Sequence, residues 1–162
     1  MNAAHWHLVL NHIPVLGTLF GIPFLVIGLI RHNRALIMSS FWVFFVVALL
    51  TIPTFLTGDP AEEVIERLPG VSRTLIHDHE EAADPTFVVM MVLGVVALIG
   101  LFSDRFKESL RKTTAAVVLI LALVAAGMTA WTANLGGDIR HPEIRKDFVV
   151  PPEAGADHGD TD

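Results

Sequence analysis

The chain has 162 residues, the length of one domain, but 52% of them are apolar and only 17% charged, and the mean hydropathy is +0.58; that balance suits a membrane rather than water. Cysteine is absent, which removes disulfides, thiolate metal sites, iron–sulfur clusters, covalently attached haem and a thiol nucleophile. A formal net charge of -6, with 17 acids against 11 Lys and Arg, argues against a nucleic-acid partner, because phosphate binding needs a basic face.

Four apolar stretches follow one another, over residues 8–30, 36–57, 85–103 and 113–135. Each has about the 20 residues that a helix needs to cross a hydrocarbon core of roughly 30 Å. None contains Asp, Glu, Lys or Arg, which weighs against an ion-conducting or proton-pumping path. The first stretch is too long, and lacks the basic start, for a removed signal peptide. The expectation is an all-α integral membrane four-helix bundle over residues 1–137. A short amphipathic helical segment separates spans two and three, and an acidic extracytoplasmic tail follows over 138–162.

The first span opens on His5, His7 and His12. His12 falls about one turn inside the span, so it is expected to face the bundle or a polar cavity rather than lipid. His5, seven residues earlier, shares its face, whereas His7 points elsewhere. Asn11 and Pro14 bracket His12, and the alternative role for His12 is structural, bonded to the backbone that the proline frees. Gly17, Gly21 and Gly28 give the span openings for a flat ligand, or equally a small-residue surface for helix packing. On span two, Thr51, Pro53 and Thr54 reach a depth similar to that of His12.

In the segment 58–84, Asp59 is expected to cap a first short helix, with Pro60 at its opening position and Glu62 completing a capping box; Pro69-Gly70 ends it. Ser72 is expected to cap a second, whose apolar face gathers Leu75, Ile76, His79, Ala82 and Ala83 before Asp84-Pro85 opens span three. His79 is therefore core-facing. His77 is rotated about 200° away, toward Arg73 and Glu81, and reads as surface. After span four, Gly136-Gly137 is expected to stop the helix and let Arg140 and His141 fold back over the bundle mouth. Arg140 and Arg145 are then candidates to pair with a cofactor's carboxylates or with nearby acids.

Arg31 and Arg34 crowd the first short loop, and Arg105, Lys107, Arg111 and Lys112 the third. Cytoplasmic loops are rich in Lys and Arg, so both termini and the segment 58–84 are expected outside, in a bacterial inner membrane. That topology places every histidine except His32 on the outer side. The solvated tail takes His158.

The runs HWHLVLNHIPVLGT, TGDPAE, VSRTLIHDHEEAA and ANLGGDIRHPEIR resemble a group of small bacterial four-helix membrane proteins of unknown function, over nearly the whole chain. More distantly, the His-rich opening is similar to an uncharacterised bacterial membrane domain associated with cytochromes. The closer resemblance implies roles for His5, His7, His12, His79 and His141, and the more distant one implies haem.

Histidines drawn from several helices suit haem b, which needs no cysteine. The leading expectation is a membrane cytochrome carrying electrons at the outer face, with quinol or a periplasmic cytochrome as partner, alone or with other membrane subunits. His12 and His79 rank as essential, His141, His5 and His7 as contributory, and His77, His32 and His158 as dispensable; Arg140 joins the cofactor-binding set. The alternative is a Cu, Zn or Fe site made by the same histidines with Glu80 or Asp78. A cofactor-free scaffold subunit is the third reading. No nucleophile with its base and orienting group is visible, so the chain is not expected to be an enzyme by itself.

Overall fold

The computed structural model describes residues 2–103, 108–146 and 148–149. The chain forms α1 (Ala3–Leu10), α2 (His12–Ile30), α3 (Arg34–Leu56), α4 (Gly58–Ile65), α5 (Arg73–Ser103) and α6 (Glu108–Arg140), then a 3₁₀ turn at Pro142–Ile144. Among the described residues there is no strand. Four stretches, Ala3–Ile30, Arg34–Ile65, Arg73–Phe102 and Leu110–Arg140, are long and apolar enough to cross a membrane. This is a multi-span membrane protein. At 1.5 Å per residue these stretches reach about 45 Å, against a hydrocarbon core of roughly 30 Å, so their polar ends stand in the headgroup layers.

The four long helices pack in a ring, α2 against α3 and α6, and α5 against α3 and α6. Each presents a seam at alternating three- and four-residue steps, the spacing that keeps one face inward. Pro14, Thr18, Gly21, Leu25 and Gly28 make the seam of α2. The others carry Phe41, Phe44 and Val47 on α3, Met90, Leu93 and Ala97 on α5, and Ala115, Val118, Ala122 and Ala125 on α6. Large α3 residues fill the glycine gaps of its neighbours. A Cβ on Gly17 would stand 2.2 Å from Val47 Cγ2, on Gly21 2.5 Å from Phe44 Cε1, and on Gly28 2.9 Å from Ile37 Cγ1. The openings expected on span one are therefore occupied, and those glycines serve helix packing.

Buried hydroxyls are satisfied inside their own helices, as a dry interior demands. Thr18 donates to the Pro14 carbonyl at 2.8 Å, Ser40 to Leu36 at 2.7 Å, Thr51 to Val47 at 2.8 Å and Thr86 to Ala82 at 2.7 Å.

Three helix boundaries differ from expectation. Asp59 does not cap α4: the helix starts at Gly58, with Thr57 in the cap position and no side-chain cap bond. The Thr57 hydroxyl is already committed to the Pro53 and Thr54 carbonyls, both at 2.9 Å, so the last turn of α3 runs almost directly into α4. Asp59 sits in the first turn, where a negative charge suits the helix dipole. The second short helix does follow Ser72, but it continues through Asp84-Pro85 into span three as one helix. Pro85 is exposed, and the carbonyl it leaves unpaired, that of Glu81, lies near the membrane surface where water reaches it. Gly136-Gly137 likewise does not stop span four, which stays helical to Arg140.

Candidate functional site

At the end of the bundle that carries α1 and α4, the inward seams continue past the apolar core. Followed backward from Pro14, the α2 seam leads to Asn11 and then to His7 on α1. On α5 the seam residues Ala82 and Thr86 lead to His79. His7 and His79 are both half-buried, and they meet edge to face, ring centroids 6.4 Å apart at an interplanar angle of 88°.

Each ring is anchored through the same atom. His7 Nδ1 donates to the Thr54 carbonyl at 3.0 Å and lies 3.3 Å from Thr57 Oγ1. His79 Nδ1 donates to the Thr132 carbonyl at 2.9 Å. A carbonyl only accepts, so both imidazoles carry their proton on Nδ1 and keep the lone pair on Nε2, the nitrogen through which a metal binds.

The anchoring carbonyls are themselves held. Thr54 Oγ1 donates to Leu50 O at 2.9 Å and reaches Leu10 O at 3.3 Å, tying α3 to the last turn of α1. Thr132 Oγ1 lies 2.9 Å from Thr86 Oγ1 and donates to Ala82 O at 3.3 Å, which sets α6 against α5 beneath His79. Gly136 gives the His79 ring its place. A Cβ there would come within 3.1 Å of Cε1 and 3.3 Å of Nδ1. At the same end of the bundle, the Glu62 carboxyl on α4 comes close to that of Glu80 on α5, and Arg73 Nε lies 3.4 Å from Glu66 Oε1. Trp6 and Trp131, next in sequence to His7 and Thr132, are exposed, as interfacial tryptophans are.

His79 is placed inward, as its helical face implies, and His77 outward, 3.2 Å from Glu81. His12 is a correction: it is exposed rather than turned into the bundle. The helix breaks at Asn11, and His12 Nδ1 folds back to the Leu8 carbonyl at 2.8 Å, covering an otherwise unpaired group at the end of α1. His12 thus bonds to the Leu8 carbonyl and not to the Leu10 carbonyl that Pro14 frees, which accepts from Thr54 Oγ1 instead. His5 lies exposed on the same side. His7, ranked only contributory, is the histidine that reaches His79. The seam of small residues on α2, extended backward by three- and four-residue steps, was the signal that could have found it.

The turn after α6 does fold back, but without bringing Arg140 and His141 to the pair. Both are exposed, and His141 Nδ1 contacts Glu143 Oε1 at 2.9 Å. Hydrogen bonds from its own backbone amide and from that ring hold the Glu143 carboxyl below the usual carboxylate range. Arg145 caps α6, its Nε donating to Asp138 O at 2.8 Å and its Nη2 to Ile139 O at 3.4 Å; positive charge is favoured at a helix C-terminus. His32 lies at the opposite end of the bundle. His158 is outside the described residues. No group of three or more His, Asp or Glu able to hold a metal occurs among the described residues.

No family, curated protein or solved structure matches the chain.

Proposed function

We propose that His7 and His79 would hold one b-type haem, in a protein that carries electrons at the outer surface of a bacterial inner membrane. The carrying observation is the convergence of two half-buried imidazoles from different helices, each pinned through Nδ1 to a main-chain carbonyl. Such anchoring fixes the tautomer and the ring orientation of a metal-ligating histidine. His7 and His79, with ring centroids 6.4 Å apart, would be the residues that hold the group.

A macrocycle supplies four nitrogens and asks two from the protein, which is the number this pair offers. Structural zinc takes four ligands and catalytic zinc three, so the haem reading uses the donors more completely. Bound haem would supply a one-electron redox couple. The chain's own part is to hold the ligand rings through Thr54 and Thr132 and, at Gly136, to leave room for one of them. Quinol or a periplasmic cytochrome is the proposed exchange partner, within or outside a larger respiratory assembly.

The test is an absorption spectrum, with elemental analysis, of protein purified gently from its native membrane. The expected result is a dithionite-reducible low-spin haem with no covalent attachment. His7→Ala and His79→Ala should each empty the site or turn it high-spin, while His12→Ala and His77→Ala keep the parent spectrum. One or two equivalents of copper or zinc without porphyrin would replace this reading by a metal site. Neither haem nor metal would leave a scaffold subunit.

A further inference from the structure

The opposite end of the bundle carries a second feature, independent of the histidine pair. A cleft of about 210 Å³ lies there between the α2–α3 turn and the start of α6, lined by Leu29, His32, Ile37, Arg111 and Lys112. Its floor is apolar and its rim is basic. Arg31 and Arg34 are exposed on the adjoining turn, so four Lys and Arg of the described residues (Arg31, Arg34, Arg111 and Lys112) gather at this end.

The backbone of the turn is built around His32. Its amide donates to Leu29 O at 3.3 Å and that of Asn33 to Gly28 O at 2.8 Å. This paired closure of a helix requires a left-handed residue at position 32, and glycine is the residue that takes that conformation most readily. The chain instead has an imidazole there, with φ +51°. A side chain stands where the backbone would prefer none, and it lines the same cleft as Arg111 and Lys112. Conformational cost accepted at one position points to a use for the side chain.

We propose that this cleft binds the headgroup phosphate of an anionic phospholipid. Arg111, Lys112 and His32 donate to the phosphate oxygens, and Leu29 and Ile37 pack against the glycerol and first methylenes. Basic pockets between transmembrane helices at a membrane surface have the chemistry for such headgroups. The apolar floor, at the level where the spans meet the surface, is what a lipid uses and a free phosphate ion does not.

The test is native mass spectrometry of the full chain in mild detergent, titrated with dioleoyl phosphatidylglycerol or dioleoyl phosphatidylcholine. The expected result is one retained phosphatidylglycerol, favoured at least tenfold over phosphatidylcholine and not displaced by millimolar inorganic phosphate. Lys112→Gln, at an exposed position, should weaken retention about fivefold, the effect of one surface charge on anionic lipid. Arg111→Gln with Lys112→Gln should abolish the preference. His32→Gly should also weaken retention while leaving the thermal midpoint at or above that of the parent, a combination that a purely structural role for His32 does not give. Equal retention of the two lipids, undiminished phosphatidylglycerol on Lys112→Gln, or displacement by phosphate would each overturn the proposal.

Discussion

An imidazole serves as a metal ligand when one nitrogen is held, the other keeps its lone pair, and the ring points where a second ligand can join it. His7, His12 and His79 all have Nδ1 on a main-chain carbonyl, so anchoring alone does not separate them. Direction does: His7 and His79 turn inward and meet, while His12 is exposed at the break between α1 and α2. Gly136 belongs to the same arrangement. In Gly136→Ala the new methyl would stand 3.1 Å from His79 Cε1, and the ring would have to give by a few tenths of an ångström. Its bond to Thr132 is what that movement strains. Disturbing the group that orients a metal ligand typically costs about 10- to 100-fold in affinity. The expected outcome is cofactor retention weakened by that order, with helix content by circular dichroism unchanged, since alanine is the better helix former. Undiminished retention would remove Gly136 from the site. The depth of His12 was legible in the sequence, and its direction was legible only from the seam: Asn11 keeps helical φ -63° and ψ -18°, so the three- and four-residue steps run on from Pro14 to His7 and leave His12 off the inward face.

Among the elements, α3 supplies the bulk and α2 and α5 the hollows. Phe44 and Val47 enter the gaps at Gly21 and Gly17 on one side, and Phe41 that at Gly100 on the other. The tightest approach of α5 to α3 is different in kind. A Cβ on Gly94 would stand 2.4 Å from Ala48 Cβ and 3.9 Å from Ala48 Cα. Ala48 has no flexible end to swing aside, so the helices themselves must separate. Gly94→Val is expected to lower stability by about 1–3 kcal/mol, the usual cost of overpacking, as a drop in the thermal unfolding midpoint in detergent. Gly127→Ala, where nothing lies within 4 Å, should leave stability unchanged or raise it by up to about 1 kcal/mol, since alanine is the better helix former. Equal effects from the two would argue that this contact does not set the helix spacing. The spans themselves were plain in the sequence because each apolar run exceeds what any soluble helix of a chain this size would expose. Their ends were not. Asp59-Pro60, Asp84-Pro85 and Gly136-Gly137 carry the signals that begin or end helices in water, and each was overridden: at Asp59 by α3 running into α4, at Gly136 by the His79 ring seated on it, and at Pro85, which is exposed, because the carbonyl it frees reaches water.

At the scale of the whole molecule, four spans place the beginning of α1 and the end of α6 at the same end of the bundle, together with α4 and the histidine pair. The other end holds the α2–α3 turn and the start of α6. Charge distinguishes the two ends sharply. Arg31 and Arg34 stand within four residues of one another, and Arg111 and Lys112 are adjacent, whereas Arg67, Arg73, Arg140, Arg145 and Lys146 are spread over far more chain. Short loops dense in Lys and Arg stay in the cytoplasm, and acids contribute little to that choice. The expected topology therefore has the α2–α3 turn inside and the histidine pair outside. Two reporter fusions check it: one ending at Asn33, and one ending at Gly70, an exposed position with φ +82° where an added Cβ would meet nothing within 4 Å. The first should be active with a reporter that works in the cytoplasm and silent with one that needs export, and the second should give the reverse. Arg31→Glu should erode the difference at Asn33, since that charge helps to hold the loop back. An exported signal from the Asn33 fusion of the parent chain would invert the molecule. The imidazole pair would then exchange electrons with the cytoplasm, and a periplasmic cytochrome would no longer be a candidate partner.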